Sequence, residues 1–184
     1  TFTDGKNITH PYLLKNWEVS DDLKTWTLNL RQGVKWNNGD TLTADDVVFT
    51  FQQWMDKDVG SSMLGLVGKY MDLSGVEKVD QYKVRLNLKV PEIAIPEHLF
   101  HYPALVLNAK TFDGDFIKNP VGTGPYTLES YLPGERAVLK ARTDYWQKGA
   151  DGKPLPYMDG MEFIDMGTEM APQIAAIKAG EVDM

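Results

Sequence analysis

Apolar and polar positions first fall into a two-residue rhythm. Trp26, Leu28 and Leu30 alternate with Thr25, Thr27, Asn29 and Arg31, the period of a strand with one buried face. Trp17-Glu18-Val19 precedes this run and Ser20-Asp21-Asp22 supplies turn residues, so the stretch predicts a hairpin. Asn37-Asn38-Gly39-Asp40 predicts a tight turn in which Gly39 takes positive φ. The rhythm then becomes helical: Val47, Val48, Phe51, Trp54 and Met55 recur on one face. Thr43 stands at the N-cap position with Asp46 three residues on, a capping box with Asp in place of Glu or Gln. Asp45 and Asp46 both meet the positive end of the helix dipole.

Residues 60–71 fit a loop with a short helix. A second hairpin follows, in which Val76 and Val79 lead to a turn at Asp80-Gln81. Val84, Leu86, Leu88 and Val90 then alternate with Lys83, Arg85, Asn87 and Lys89. Pro91, Pro96 and Pro103 interrupt the next segment, which leaves room for one or two helical turns over residues 95–100. Pro120-Val121-Gly122-Thr123-Gly124-Pro125 breaks the composition and marks a crossing between subdomains. A third hairpin runs from Tyr126 to Leu132, turns at Pro133-Gly134 and returns over Arg136 to Ala141. Asp151-Gly152-Lys153-Pro154 is a surface loop, and residues 161–164 form a short strand. Thr168 caps a last helix over residues 169–179, which Gly180 ends. Antiparallel hairpins with a few helices define an α+β class.

Composition narrows the function. The 184 residues are 42% hydrophobic and 24% charged, a profile that supports a sizeable core. Net charge is −7 with no basic cluster, which argues against nucleic acid and, weakly, against anionic lipid. The absence of Cys removes disulfides, thiolate nucleophiles and Cys-based zinc sites. No apolar run approaches the roughly 20 residues of a membrane span. The stretch from Thr1 to Lys6 lacks the charged and apolar regions of a signal peptide.

Candidate chemistry is thin. Gly122-Thr123-Gly124 lacks the Gly-Lys-Ser/Thr of a phosphate loop and is followed by Pro125 and a strand, so it reads as a backbone turn. Asn37, Asn38, Asp40, Asp45 and Asp46 do not follow calcium-loop spacing, and a turn plus a helix cap accounts for all of them. His98 and His101 lie three apart and on a helix would share a face, but Pro96 and Pro103 bracket them and no third ligand stands near. They read as two partly exposed structural histidines, and His10 has no visible partner. No Gly-x-Ser-x-Gly elbow exists. No catalytic residue, metal or cofactor is expected.

Longer motifs carry a resemblance. Asn16-Trp17-Glu18-Val19-Ser20-Asp21-Asp22, then residues 26–36 (Trp-Thr-Leu-Asn-Leu-Arg-Gln-Gly-Val-Lys-Trp), then Asn38-Gly39-Asp40-Thr41-Leu42-Thr43-Ala44-Asp45-Asp46-Val47 resemble the signature of bacterial extracellular solute-binding proteins of family 5, the peptide/nickel/dipeptide type. Pro120-Val121-Gly122-Thr123-Gly124-Pro125-Tyr126 is similar to that family's subdomain crossing. Arg142-Thr143-Asp144-Tyr145-Trp146 resembles its Asn-x-x-Tyr-Trp element, with Arg142 where Asn is usual. Ala175-Ala176-Ile177-Lys178-Ala179-Gly180-Glu181-Val182-Asp183-Met184 resembles its helix end.

The resemblance implies part of a two-lobed, type II periplasmic-binding fold. Residues 1–119 would be the small accessory subdomain of the first lobe and residues 120–184 part of its main sheet, without the second lobe or an N-terminal segment. The implied role is capture of peptides or related solutes outside the cytoplasmic membrane and delivery to an ABC permease, without chemistry. The expected protein is a monomer, periplasmic or a cell-surface lipoprotein. The resemblance brings Ser61, Ser62 and Met63 toward the ligand, although a surface loop beside a helix explains them equally. Rival readings are a relative that binds a nickel chelate, heme or sugar or acts in sensing, a hydrolytic enzyme, and a plain interaction module.

Overall fold

The computed structural model describes residues 1–183 and divides into two compact units, Thr1–Thr123 and Gly124–Met184. In the first unit, β1 (Phe2–Thr3) and β2 (Thr9–His10) form a short antiparallel pair. The loop between them is closed by Asp4, whose carboxylate accepts the Lys6 and Ile8 N–H groups at 2.8 and 3.0 Å.

The predicted hairpins appear as β3 (Leu14–Val19) with β4 (Thr25–Leu30), and β5 (Val76–Asp80) with β6 (Lys83–Asn87). They merge into one antiparallel sheet of order β3-β4-β6-β5 because β4 also pairs with β6. Trp26 lies opposite Val19 on one side and Leu86 on the other; Leu28 lies opposite Trp17 and Val84. This register puts Trp26, Leu28, Leu30, Val84 and Leu86 on one buried face. Thr25, Thr27, Asn29 and Arg85 occupy the wetter face.

The second hairpin is shorter than its alternation predicts. β6 ends at Asn87, and the Leu88 N–H turns to Lys24 O at 2.7 Å. Leu88 stays buried, whereas Val90 is exposed before Pro91.

Two helices cover the buried face. α1 (Ala44–Met55) contributes Val47, Phe51 and Trp54 to the core, and α2 (Ser62–Val67) contributes Met63 and Val67. A 3-10 turn at Leu73–Gly75 leads into β5. α3 (Ile95–His98) is a single helical turn that anchors Ile95 in the same core.

In the second unit, β7 (Tyr126–Leu132), β8 (Arg136–Ala141) and β9 (Gly160–Ile164) form an antiparallel sheet in that order. The β7–β8 turn closes with Glu135 N–H donating to Leu132 O at 3.0 Å, and Gly134 takes φ +74°. The last helix, α4 (Met170–Ala179), starts one residue later than predicted. Glu169 occupies the cap in extended conformation, so Thr168 lies outside the helix. Pro172 fits in this first turn because its missing N–H would have had no helical acceptor there. Gly180 ends the helix at φ +71°.

Candidate functional site

Gly60 at φ +69° reverses the chain into Ser61. Ser61 caps α2: its hydroxyl oxygen accepts the Met63 N–H at 3.3 Å. Ser62 is exposed, while Met63 is 0% exposed within the core cluster. The three residues are contiguous but face different surroundings. Ser62 offers a hydroxyl to solvent, Ser61 is half-buried and already holds the helix start, and the Met63 side chain is packing.

The stretch from Asn37 to Thr50 does more than its local pattern predicts. Trp36 N–H donates to Asp40 O at 2.9 Å, and Gly39 N–H to Trp36 O at 3.0 Å, which close the predicted turn. Gly39 has φ +90°, a conformation that an L side chain would strain. At the start of α1, the Thr43 N–H donates to Asp46 Oδ2 at 2.8 Å, the reaching-back half of a capping box.

Asp46 also holds a distant segment. Its Oδ1 accepts the Ala109 N–H at 2.9 Å, and the residue is only 5% exposed. One turn on, the Thr50 hydroxyl donates to Asp46 O at 2.7 Å and accepts the Leu107 N–H at 2.9 Å. Asp40 Oδ1 accepts from Lys110 Nζ at 2.9 Å. Asn37 donates from Nδ2 to Pro120 O at 2.9 Å and accepts the Gly122 N–H at 3.2 Å. None of these contacts has a sequence signal beyond the presence of a short polar side chain.

Electrostatics follows the same contacts. The hydrogen bond from Lys110 holds the Asp40 carboxyl below its usual range, with Asn38 and Asn108 adding to it, and the same contact raises Lys110. Burial pushes the Tyr70 phenol up, helped by the charge of Glu92. Tyr70 stacks on His98 with ring centroids 5.6 Å apart, and its hydroxyl lies 3.2 Å from His98 Nδ1. His101 is exposed beyond α3, against Tyr102. His10 has a partner that the sequence did not reveal: Nε2 lies 2.8 Å from Asp4 Oδ2, and the ring stacks on Phe2. The hydrogen bond from His10 lowers Asp4, and the Ile8 and Lys6 amides add to it.

In the second unit, Arg142 is buried and donates from Nε and Nη2 to the two carboxylate oxygens of Asp144 at 2.9 and 3.0 Å. It also donates from Nη1 to Gly124 O at 3.2 Å. Through this last bond Arg142 ties the chain two residues before β7.

Among the described residues, no group of three or more His, Asp or Glu side chains is placed to hold a metal ion. No helix among them is long and apolar enough to cross a membrane.

The chain is thus an antiparallel α+β scaffold whose polar side chains hold its own backbone. The profile of the bacterial extracellular solute-binding proteins, family 5 Middle, matches residues 9–184, and the chain belongs to that family. A probable ABC transporter-binding protein of Deinococcus radiodurans is 30% identical over 94% of this chain and 32% of its own length. A dipeptide-binding protein of Pseudomonas aeruginosa is 30% identical over 98% of this chain and 37% of its own length. Among solved structures, the binding protein MoaA of A. tumefaciens R10, in complex with mannopinic acid, superposes with a TM-score of 0.81 at 31% identity. That match covers 95% of this chain and 34% of MoaA. The chain thus spans about a third of the length of the relatives it matches.

Proposed function

We propose that this chain is part of the substrate-binding component of an ABC importer, which captures peptides or related solutes outside the cytoplasmic membrane and delivers them to a permease. Members of its family are transport-binding proteins. The observation that carries the reading is the family match over residues 9–184; the dipeptide-binding relative supports peptide as the solute. On this reading residues 1–119 are the accessory subdomain of the first lobe and residues 120–184 part of its main sheet. The division of the chain into units at Thr123 and Gly124 supports that assignment. The protein acts as a monomer, in the periplasm or as a surface lipoprotein, and performs no chemistry on its solute. Lobe closure around the solute is a two-state change driven by differential affinity.

Ser61 and Ser62 are the residues of the predicted site that remain for ligand contact, Ser62 by exposure and Ser61 through the proton of its capping hydroxyl. The Met63 side chain supports them from below. A second reading, a non-peptide solute, is favoured by MoaA, which is as similar to this chain and was solved with mannopinic acid.

Calorimetric titration of the full-length protein with di- to pentapeptides and with mannopinic acid tests the choice. Micromolar or tighter peptide binding is expected. Binding confined to mannopinic acid would replace peptide with the second reading, and hydrolysis of either ligand would sink the non-enzymatic role.

A further inference from the structure

Residues 99–125 contain no helix or strand, yet they run from α3 to β7 along a defined path. Four of their backbone groups and one side chain are met by side chains of the Asn37–Thr50 stretch, in order. Thr50 takes the Leu107 N–H, Asp46 the Ala109 N–H, Asp40 the Lys110 ammonium, and Asn37 both Pro120 O and the Gly122 N–H. The segment also knots itself: Asn108 Oδ1 accepts the Lys110 and Thr111 N–H groups, and Asn119 Nδ2 donates to Thr111 O. Between these ties, Asp113, Gly114 and Asp115 are exposed, as are Phe116 and Ile117.

A segment held by side chains and not by a ladder opens separately from the core beneath it. From this we infer that residues 104–122 form a strap, and that Asn37 is its latch, the positioning residue that fixes the path by which the chain leaves the first unit. Asn37 is suited to this because an amide both donates and accepts. It meets the carbonyl of Pro120 and the amide of Gly122 at once, beside the backbone bond from Asn37 N–H to Gly122 O at 3.0 Å. Loss of the side chain leaves that backbone bond, so the strap loosens at its exit without detaching. The inference does not depend on which solute the protein binds.

Hydrogen exchange of the full 184-residue chain, followed by NMR, tests it. Asn37→Ala is expected to speed exchange of the Gly122 amide by about tenfold, the consequence of losing the side-chain acceptor of its N–H, while the amides of β4 and β6 keep their rates. Asn37→Asp retains an acceptor for Gly122 and loses the donor to Pro120. It is expected to restore slow exchange at Gly122 while the Pro120 carbonyl carbon shift moves as in Asn37→Ala. An unchanged Gly122 rate in Asn37→Ala, an equal acceleration throughout β4 and β6, or Asn37→Asp exchanging as fast as Asn37→Ala would each overturn the latch.

Discussion

Asp45 and Asp46 look alike in sequence: adjacent carboxylates in the first turn of α1, each opposite the positive end of the dipole. Such a position stabilises a helix by about 0.3–1 kcal/mol, so the dipole alone predicts nearly equal effects from Asp45→Ala and Asp46→Ala, with the capping box adding about 1 kcal/mol at Asp46. The structure separates them. Asp45 is exposed and pairs with Lys78 at 2.7 Å, a surface contact that contributes about 0–1 kcal/mol. Asp46 is nearly buried and accepts two backbone N–H groups, from Thr43 and Ala109. Hydrogen bonds to a charged acceptor contribute about 1.5–3 kcal/mol each, and a buried donor stranded by truncation costs more than the mean. Allowing for incomplete additivity, Asp46→Ala should destabilise by about 3 kcal/mol. At about 4 °C per kcal/mol for a unit of this size, that is a fall in Tm of about 12 °C. Asp45→Ala should cost about 0.5 kcal/mol.

The assay is urea unfolding followed by Trp fluorescence. Trp17, Trp26, Trp36 and Trp54 all lie in the first unit, so a Trp146→Phe background confines the signal to it. Midpoints compared at constant m report the stability difference directly. If the two variants differ by less than about 1 kcal/mol, the tie from α1 to Ala109 contributes nothing beyond a helix cap, and the reasoning fails.

Three further outcomes are expected. Among the described residues every buried hydrophobic except Ala176 lies in Thr1–Thr123, so a chain of those residues should unfold cooperatively with near-ultraviolet circular dichroism, whereas residues 124–184 alone should not. Near-native ellipticity from the isolated second piece would contradict this. Asp40 is lowered by Lys110, so its contribution is present above the unfolded carboxylate pKa of about 3.9 and is lost as pH falls through the lower folded value. Asp40→Asn should therefore flatten the decline of urea midpoints between about pH 5 and pH 2, and an unchanged slope would remove the pair from the account. Because the chain covers about a third of its relatives, the 184-residue chain titrated with mixed di- to pentapeptides should release little heat; micromolar binding would place the ligand contacts within it.

The parts of the fold that were legible are those set by nearest neighbours in sequence. The alternation around Trp26 and Val84 reported strands because the side-chain period of a strand is a local property. The Thr43 cap and the Gly39 turn were legible for the same reason: Asp46 reaches back three residues, and Gly39 needs only its own φ. The pairing of β4 with β6 was not legible. It joins residues about sixty apart, and the hydrophobic alternation of each strand is satisfied equally by any apolar partner. β1, β2 and the Asp4–His10 pair escaped because two-residue strands carry no period at all.

The candidate site divides along the same line. Ser61 and Ser62 were placed by resemblance, and the structure gives Ser61 a capping role that pattern had missed, because a six-residue helix such as α2 has too little apolar period to announce its start. The Asn37–Thr50 stretch shows why a family signature need not be a ligand site. A turn requires Gly39, but it would tolerate many residues at position 37; a helix cap requires a short polar side chain, but it would tolerate several at position 46. What narrows both positions is the strap. An amide is needed where a carbonyl and an N–H must be met together, and a carboxylate where two N–H groups converge. Residues under one local and one distant demand are the hardest to exchange, so their joint presence identifies the scaffold. Residues that meet only solvent, such as Ser62, are free of that double constraint.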